Sequence, residues 1–265
     1  MKFYYNIVVN KNLCPAQLYA EIIRLKPDGE RGFNFYLEAQ PENVAEAEMI
    51  KHIADICKRG QLDRIRGAYR FSAARIYEPA DLAAAELLRL SGGRGLLHGV
   101  IRSESGQLIM PAFRAKASLK IAGVFPNPWI IISNAVRNIL EAAGLVGLIF
   151  VEVVIQGRSI HAANAPFWEL SSSITLPKIV NAVRYENRSF PCYGIDDDSY
   201  QHPEIHYRCS DLRKLGFFDI AHTLEPLGDR DPSLIISQRF YQVCLSHKIS
   251  LDVWPVRIDP NKNPQ

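Results

Sequence analysis

Four side chains able to bind a soft metal stand close together in the chain: Cys192, His202, His206 and Cys209. Zinc takes thiolates and imidazoles in tetrahedral sets, and two ligands spaced two apart suit a knuckle turn. His206 and Cys209 have that spacing. Cys192 does not, because Ser189 and Ile195 occupy the positions where its neighbour would stand. Half of a zinc signature is present. No resident cofactor is expected, and zinc on these four residues is the alternative.

The same stretch is acidic. From Tyr193 to Tyr207 it carries Asp196, Asp197, Asp198 and Glu204 and no Lys or Arg. The Asp run lacks the alternating carboxylates and the glycine of a calcium loop. It reads as a solvated loop, or as a patch that docks on a basic partner. Trp168 and Tyr200 are aromatic anchor candidates for such a contact if they face solvent. A basic counterpart lies at 58–75, with Lys58, Arg59, Arg64, Arg66, Arg70 and Arg75 against Asp63. Tyr69 and Phe71 alternate with Arg70 there, which is the pattern of an ordinary strand, so nucleic acid is not an expected partner. The run "SGGRG" at 91–95 follows a helical pattern, where phosphate-binding loops follow a strand. It reads as the loop closing that helix.

Catalytic patterns are sparse. The chain has no G-x-S-x-G, H-E-x-x-H or G-K-[ST]. His161 and His222 could each serve as a base, but nothing marks a nucleophile beside either one. No catalytic residue is assigned, and an enzyme is the less favoured reading.

Composition sets further bounds. The chain has 265 residues, is 48% hydrophobic and 22% charged, and carries a net charge of +3 with a pI near 8.5. This is an ordinary globular balance, too mildly basic for a dedicated nucleic-acid binder. The five cysteines are scattered and odd in number, which favours a reducing compartment over a disulfide framework. The opening "MKFYYNIVVNKN" is broken by Asn6, Asn10 and Lys11 and lacks the apolar length of a signal peptide. No apolar run approaches the ~20 residues of a membrane span. A cytoplasmic location without a membrane partner is expected.

Strands are expected at 2–10, 33–39, 129–133 and 148–157, a hairpin within 95–122, and helices over 41–60, 78–93 and 134–144. Pro41 and the first-turn acids start the first of these helices, and Gly92-Gly93 stop the second. Two stretches then match without a gap. "NPWIIISNAVRNILEAAGLVGLIFVEV" and "DPSLIISQRFYQVCLSHKISLDVWPV" each run from proline through an apolar strand, a Ser N-cap and a helix to a second apolar strand. Ser133 and Ser237 stand 104 residues apart, as do Phe150 and Trp254. A weaker match joins Tyr77, Asp81 and Leu82 to Tyr207, Asp211 and Leu212. The expected fold is therefore α+β, with two related lobes arising by internal duplication. Each lobe has a mixed or antiparallel sheet and a few helices: residues 1–157, with the extra hairpin near 95–122, and residues 158–265.

Over about 165–258, "FWELSSSITLPKIV", "CSDLRKLGFFDIAHTLE" and "PSLIISQRFYQVCLSHKISLDVWPV" resemble bacterial immunity-like proteins of polymorphic-toxin systems. One group of these is named for a double C-x-x-C-G motif, and a sibling group lacks the cysteines. Here Ser189-x-x-Cys192-Tyr193 and His206-x-x-Cys209-Ser210 stand where the two motifs would be, with one Cys and the glycine of each absent. The resemblance implies a cytoplasmic, non-enzymatic protein that binds and occludes one cognate protein toxin. Asp196–Asp198, Glu204, Trp168 and Tyr200 are the candidate contacts. The alternatives are a hydrolase using a His between the lobes, and a nucleic-acid-associated protein with a degenerate zinc-ribbon segment.

Overall fold

The computed structural model describes residues 2–9, 15–24, 34–39, 48, 52–53, 55–57, 59–61, 69–93, 95–157, 166–184, 193–195, 204–227 and 231–260. The chain is α+β and divides into two compact units. One unit is Met1–Asp81 with Asp197–Pro203, and the other is Leu82–Asp196 with Glu204–Gln265.

In the first unit, β1 (Lys2–Val9) pairs antiparallel with β2 (Asn34–Ala39) on one side and β3 (Tyr69–Ile76) on the other. Helix α1 (Ala16–Arg24) follows β1. All described positions between 48 and 59 are helical, as the pattern over 41–60 requires. Ile53, Ile56 and Cys57 are buried at i, i+3 and i+4, whereas His52 is exposed. The apolar stripe therefore runs through 53, 56 and 57.

The second unit opens with α2 (Pro79–Ala84), which crosses from the first, and then β4 (Leu87–Gly92). The chain continues through β5 (Leu96–Leu97), β6 (Ile101–Arg102), β7 (Leu108–Met110), β8 (Ile121–Val124) and β9 (Ile130–Ser133). Next come α3 (Asn134–Ala142), β10 (Leu148–Glu152), β11 (Val154–Ile155), β12 (Phe167–Ser172), β13 (Ala182–Arg184) and β14 (Tyr193–Ile195). The remaining elements are β15 (Ile205–Arg208), α4 (Cys209–Arg213), β16 (Ile220–His222), β17 (Leu234–Ser237), α5 (Gln238–Ser246) and β18 (Asp252–Asp259).

Two five-stranded sheets result, ordered β10-β12-β9-β8-β5 and β15-β18-β4-β17-β16. They share an antiparallel four-strand pattern, β8-β9-β12-β10 in one and β16-β17-β4-β18 in the other. The central strands are crossed over: β12, from the second half of the chain, sits among first-half strands, and β4, from the first half, sits among second-half strands. The halves do not form the separate lobes expected on either side of 157/158. Leu88 and Leu90 of β4, Ile130 and Ile132 of β9, Leu170 of β12, and Leu234 and Ile236 of β17 pack in one cluster with α3 and α5. One buried cluster thus draws on strands of both sheets and on both Ser-capped helices.

The repeated Ser residues have matching geometry. Ser133 (φ −76, ψ 160) accepts the Val136 N–H and starts α3. Ser237 (φ −76, ψ 164) accepts the Phe240 N–H and starts α5. Ser133 pairs across with Phe167 and Ser237 with Leu87, so the two capped units meet their central strands in the same register. The last strand slips by one: Val151 faces Glu169, and Trp254 faces Arg89, so Trp254 matches Val151 and not Phe150.

The expected helix over 78–93 is half strand. After α2 the alternation of Leu88 and Leu90 with half-buried Arg89 and Ser91 fits a strand held on both edges, by β17 and β18. Tertiary pairing overrides the helix propensity of "AAAELLRL". Gly92 and Gly93 accordingly end a strand and close no helix. Gly92 has φ +135, and a Cβ there would fall 2.3 Å from the Gly123 nitrogen, so glycine lets the two sheets' backbones touch. The 95–122 insertion contains the expected hairpin, β6 and β7 around Ser103–Gly106, with Ile101 facing Ile109. Its Leu108 and Met110 cover the outer face of the first sheet with Ile131, Val153 and Phe167. Ser210 does not cap α4; Arg208 stands at the cap without a side-chain bond.

Asp219 joins the sheets. It is wholly buried. Its Oδ1 accepts the Ser237 hydroxyl (2.7 Å), and its Oδ2 accepts the Val146 N–H (2.9 Å) and the Arg239 guanidinium (2.9 Å). Removing it leaves the buried Ser237 hydroxyl without its acceptor, and the half-exposed Arg239 and the Val146 N–H without theirs. Asp219→Ala should cost about 2–3 kcal/mol in urea unfolding. Ser133→Ala, which loses only a cap bond, should cost about 1 kcal/mol, and Ser237→Ala clearly more. Equal losses for the two serines would contradict the Asp219 link.

Candidate functional site

A cleft of about 640 Å³ opens in the second unit. Its walls come from the β6–β7 hairpin (Arg102, Gly106), the segment before β9 (Pro128, Trp129), β10 (Val151), β12 (Glu169, Leu170, Ser171) and Thr175. The 222–234 segment supplies His222, Thr223, Leu224, Asp231, Pro232 and Leu234. These residues meet only because β12 lies beside β9 and β10 while the end of β16 reaches back to it.

Alternation along β12 puts Phe167, Glu169 and Ser171 on one face and Trp168, Leu170 and Ser172 on the other. Glu169 thus sits, 7% exposed, on the face whose neighbours across the strands are Ile131 and Val151. A carboxylate there needs a partner. Arg102 supplies it through both guanidinium nitrogens, at 2.8 and 3.2 Å, and also donates to the Gly106 carbonyl at 2.7 Å. The guanidinium lies over the Trp129 ring, 4.6 Å from its centroid, and the Trp129 indole N–H donates to Asp231.

The other polar group in the cleft is His222. Its Nε2 accepts the Ser172 backbone N–H (3.2 Å), so that nitrogen carries no proton. The Ser171 hydroxyl, 2.9 Å away, then also donates to it. The proton rests on Nδ1, which is buried without a hydrogen-bond partner among the described residues. Burial holds the His222 pKa below its ordinary range, and Asp231 partly opposes this. The backbone is locked as well: His222 N–H donates to the Ile174 carbonyl and the Leu176 N–H to the His222 carbonyl, both at 2.8 Å.

Of the expected contact residues, Asp196, Asp197, Asp198 and Tyr200 lie outside the described residues, as do Cys192, His202 and His161. Trp168 is half-buried: its indole N–H donates to Asn134 and its ring lies 3.9 Å beneath the Arg137 guanidinium, so it is not a free anchor. Glu204 is also partly buried, with Oε2 4.0 Å from His206 Nε2, and it takes the Asn181 amide on its carbonyl. His206 Nδ1 stands 3.6 Å from Asp259, and Cys209 opens α4. No group of three or more potential ligands gathers among the described residues. Cys244 faces the core, where burial pushes its thiol up to about 12. Of the basic run, Arg59 pairs with Glu21 at 3.1 Å.

The sequence reading found His222 and missed Arg102, Trp129, Glu169, Ser171 and Asp231. One signal was available: Glu169 is the lone charge of its strand, flanked by Trp168 and Leu170, which implies a buried partner. No family model matches the chain, and no curated protein matches it.

Two measurements check this geometry. Arg102→Ala strands Glu169 and should cost roughly 2–4 kcal/mol, with much of the loss recovered when Glu169→Gln is added. An uncoupled pair of losses would contradict the ion pair. His222 is neutral when folded and takes up a proton more readily when unfolded, so its contribution is present above its ordinary value near 6.5 and lost as pH falls below that. Between about pH 7 and pH 5 the urea midpoint should drop more in the wild type than in His222→Gln.

Proposed function

We propose that the chain is a non-enzymatic inhibitor that covers the surface of a partner protein, of the bacterial toxin-immunity kind. The observation that carries this reading is the surface of the insertion: Leu96, Ile101 and Phe113, with Phe125 just beyond it, are 54%, 59%, 69% and 56% exposed. Phe125 packs at a tilt against His98, with centroids 5.3 Å apart, beside the short edge strand that bears Leu96. Large apolar side chains held in the open mark sites of protein association. The cleft beside them supports recognition over catalysis. Arg102 and Glu169 are spent on each other, and the His222 Nε2 lone pair is shared by two donors. The Ser-capped strand–helix–strand unit, on which the sequence resemblance rests, supports the same reading.

Asp196–Asp198 and Tyr200 stay candidate contacts on sequence grounds, and the insertion joins them. The test is co-expression with the product of the neighbouring gene. The pair should co-purify, and the chain should protect cells from that product. Phe113→Asp with Phe125→Asp should weaken the complex at least about tenfold without lowering the unfolding midpoint. Absence of both complex and protection would overturn the proposal.

A second reading is favoured by one contact, the 2.9 Å approach of Ser171 Oγ to His222 Nε2. This is the spacing of a nucleophile and its base. Against it, no carboxylate among the described residues receives the Nδ1 proton, which a working base needs for orientation. Labelling of Ser171 by a fluorophosphonate probe, lost in His222→Gln, would replace the inhibitor reading with a hydrolase.

A further inference from the structure

Three of the four outer edges of the two five-stranded sheets are short or covered. Against β16, the His222 N–H donates to the Ile174 carbonyl and the Leu176 N–H to the His222 carbonyl, and Thr175 forms a bridge to His222. Against β15, the Val180 N–H donates to the His206 carbonyl at 2.9 Å and the Asn181 side chain accepts the His206 N–H at 3.1 Å. Strand β5 has two residues. Strand β10 is different: five residues, "LIFVE", paired among the described residues on one side only, by β12.

The direction of its backbone groups follows from the bonds at its ends. The Ser173 N–H donates to the Gly147 carbonyl and the Val153 N–H to the Phe167 carbonyl, both at 3.1 Å. Odd-numbered positions therefore face β12, and Leu148, Phe150 and Glu152 turn their N–H and C=O groups outward. The Glu152 carbonyl takes the Gln107 amide at 3.1 Å. No other bond to these outward groups is present among the described residues. The edge also lacks the lysine, proline or bulge by which edge strands avoid pairing, and Ile149 beside it is 38% exposed.

We infer that β10 pairs antiparallel with β10 of a second copy of this chain, about a two-fold axis at Phe150. The strand is its own complement in that register. Phe150 meets Phe150 through its outward N–H and C=O. Ile149 lies opposite Val151 of the second copy on one face, so β-branched residues pair. Leu148 lies opposite Glu152, so no like charges oppose. The two sheets then continue into one, and the isologous contact closes without leaving a free β10 edge.

The test uses the purified full chain alone, so its outcome is independent of any inhibitor role. Sedimentation analysis from roughly 1 to 100 μM should show a monomer–dimer equilibrium, and the Leu148 and Phe150 amides should exchange slowly with deuterium. Ile149→Lys puts a charge opposite Val151, and Leu148→Pro removes an outward donor at the first strand position, where proline is tolerated. Each should weaken association at least about tenfold and speed exchange at Phe150. A monomer at every concentration with fast exchange at Phe150 overturns the inference, and that result needs no variant to fold. A dimer indifferent to both substitutions overturns it as well. So does a monomer whose Phe150 amide is protected only when a foreign protein is added, since the edge would then receive another chain's strand.

Discussion

The carboxylate of Asp219 is the contact on which the arrangement of the second unit turns. It has no exposure to water, so each oxygen must be satisfied from within. The donors come from both sheets: the Val146 N–H from the turn after α3, the Ser237 hydroxyl from the end of β17, and Arg239 from α5. Arg239 also reaches the Ala143 carbonyl at the end of α3. One buried charge thus ties the C-terminal end of one Ser-capped helix to the N-terminal end of the other. Gly147 (φ +98) is required at the same place, since a Cβ there would stand 2.4 Å from the Ile220 carbonyl. The two sheets are held at backbone contact, and large side chains could not intervene.

With that joint set, the crossed central strands acquire a purpose in packing. β12 must lie between β9 and β10 to carry Leu170 into the common core, and the pleat then sends Glu169 and Ser171 to the opposite face. There the hairpin of the insertion closes over them and brings Arg102 to Glu169. The seam between β12 and the end of β16 brings His222 to Ser171 and Ser172. The cleft is thus a consequence of strand exchange, and its polar groups serve first to make that exchange affordable. This is why its chemistry resembles a set of internal locks. Among the described residues, large apolar side chains open to solvent include Leu96, Ile101 and Phe113 of the insertion, and also Phe217 and Leu224.

Much of the fold was legible in the sequence because its signals are local. Serine before a helical run, glycine after it, and β-branched runs of five or so residues each report a short-range preference, and β9, α3, β17, α5 and β18 stand where those signals place them. The 78–93 segment was misread because its signal is local too: "AAAELLRL" favours a helix until two neighbouring strands claim Leu88 and Leu90. The candidate site was nearly illegible. Arg102, Glu169 and His222 lie 67 and 53 residues apart in sequence order, and no spacing rule connects them.

Composition and local pattern by themselves determined the α+β character, the two Ser-capped units and the hairpin of the insertion. These depend on hydrogen bonds and side-chain packing within about a dozen residues. Only the tertiary structure decided that the halves exchange strands instead of forming separate lobes, because sheet pairing is a contact between distant segments that have similar β propensity. It also decided which face of β12 meets the core shared with α3 and α5 and which carries Glu169 into the cleft. Both follow from register, where a shift of a single residue would have exchanged Leu170 with Glu169.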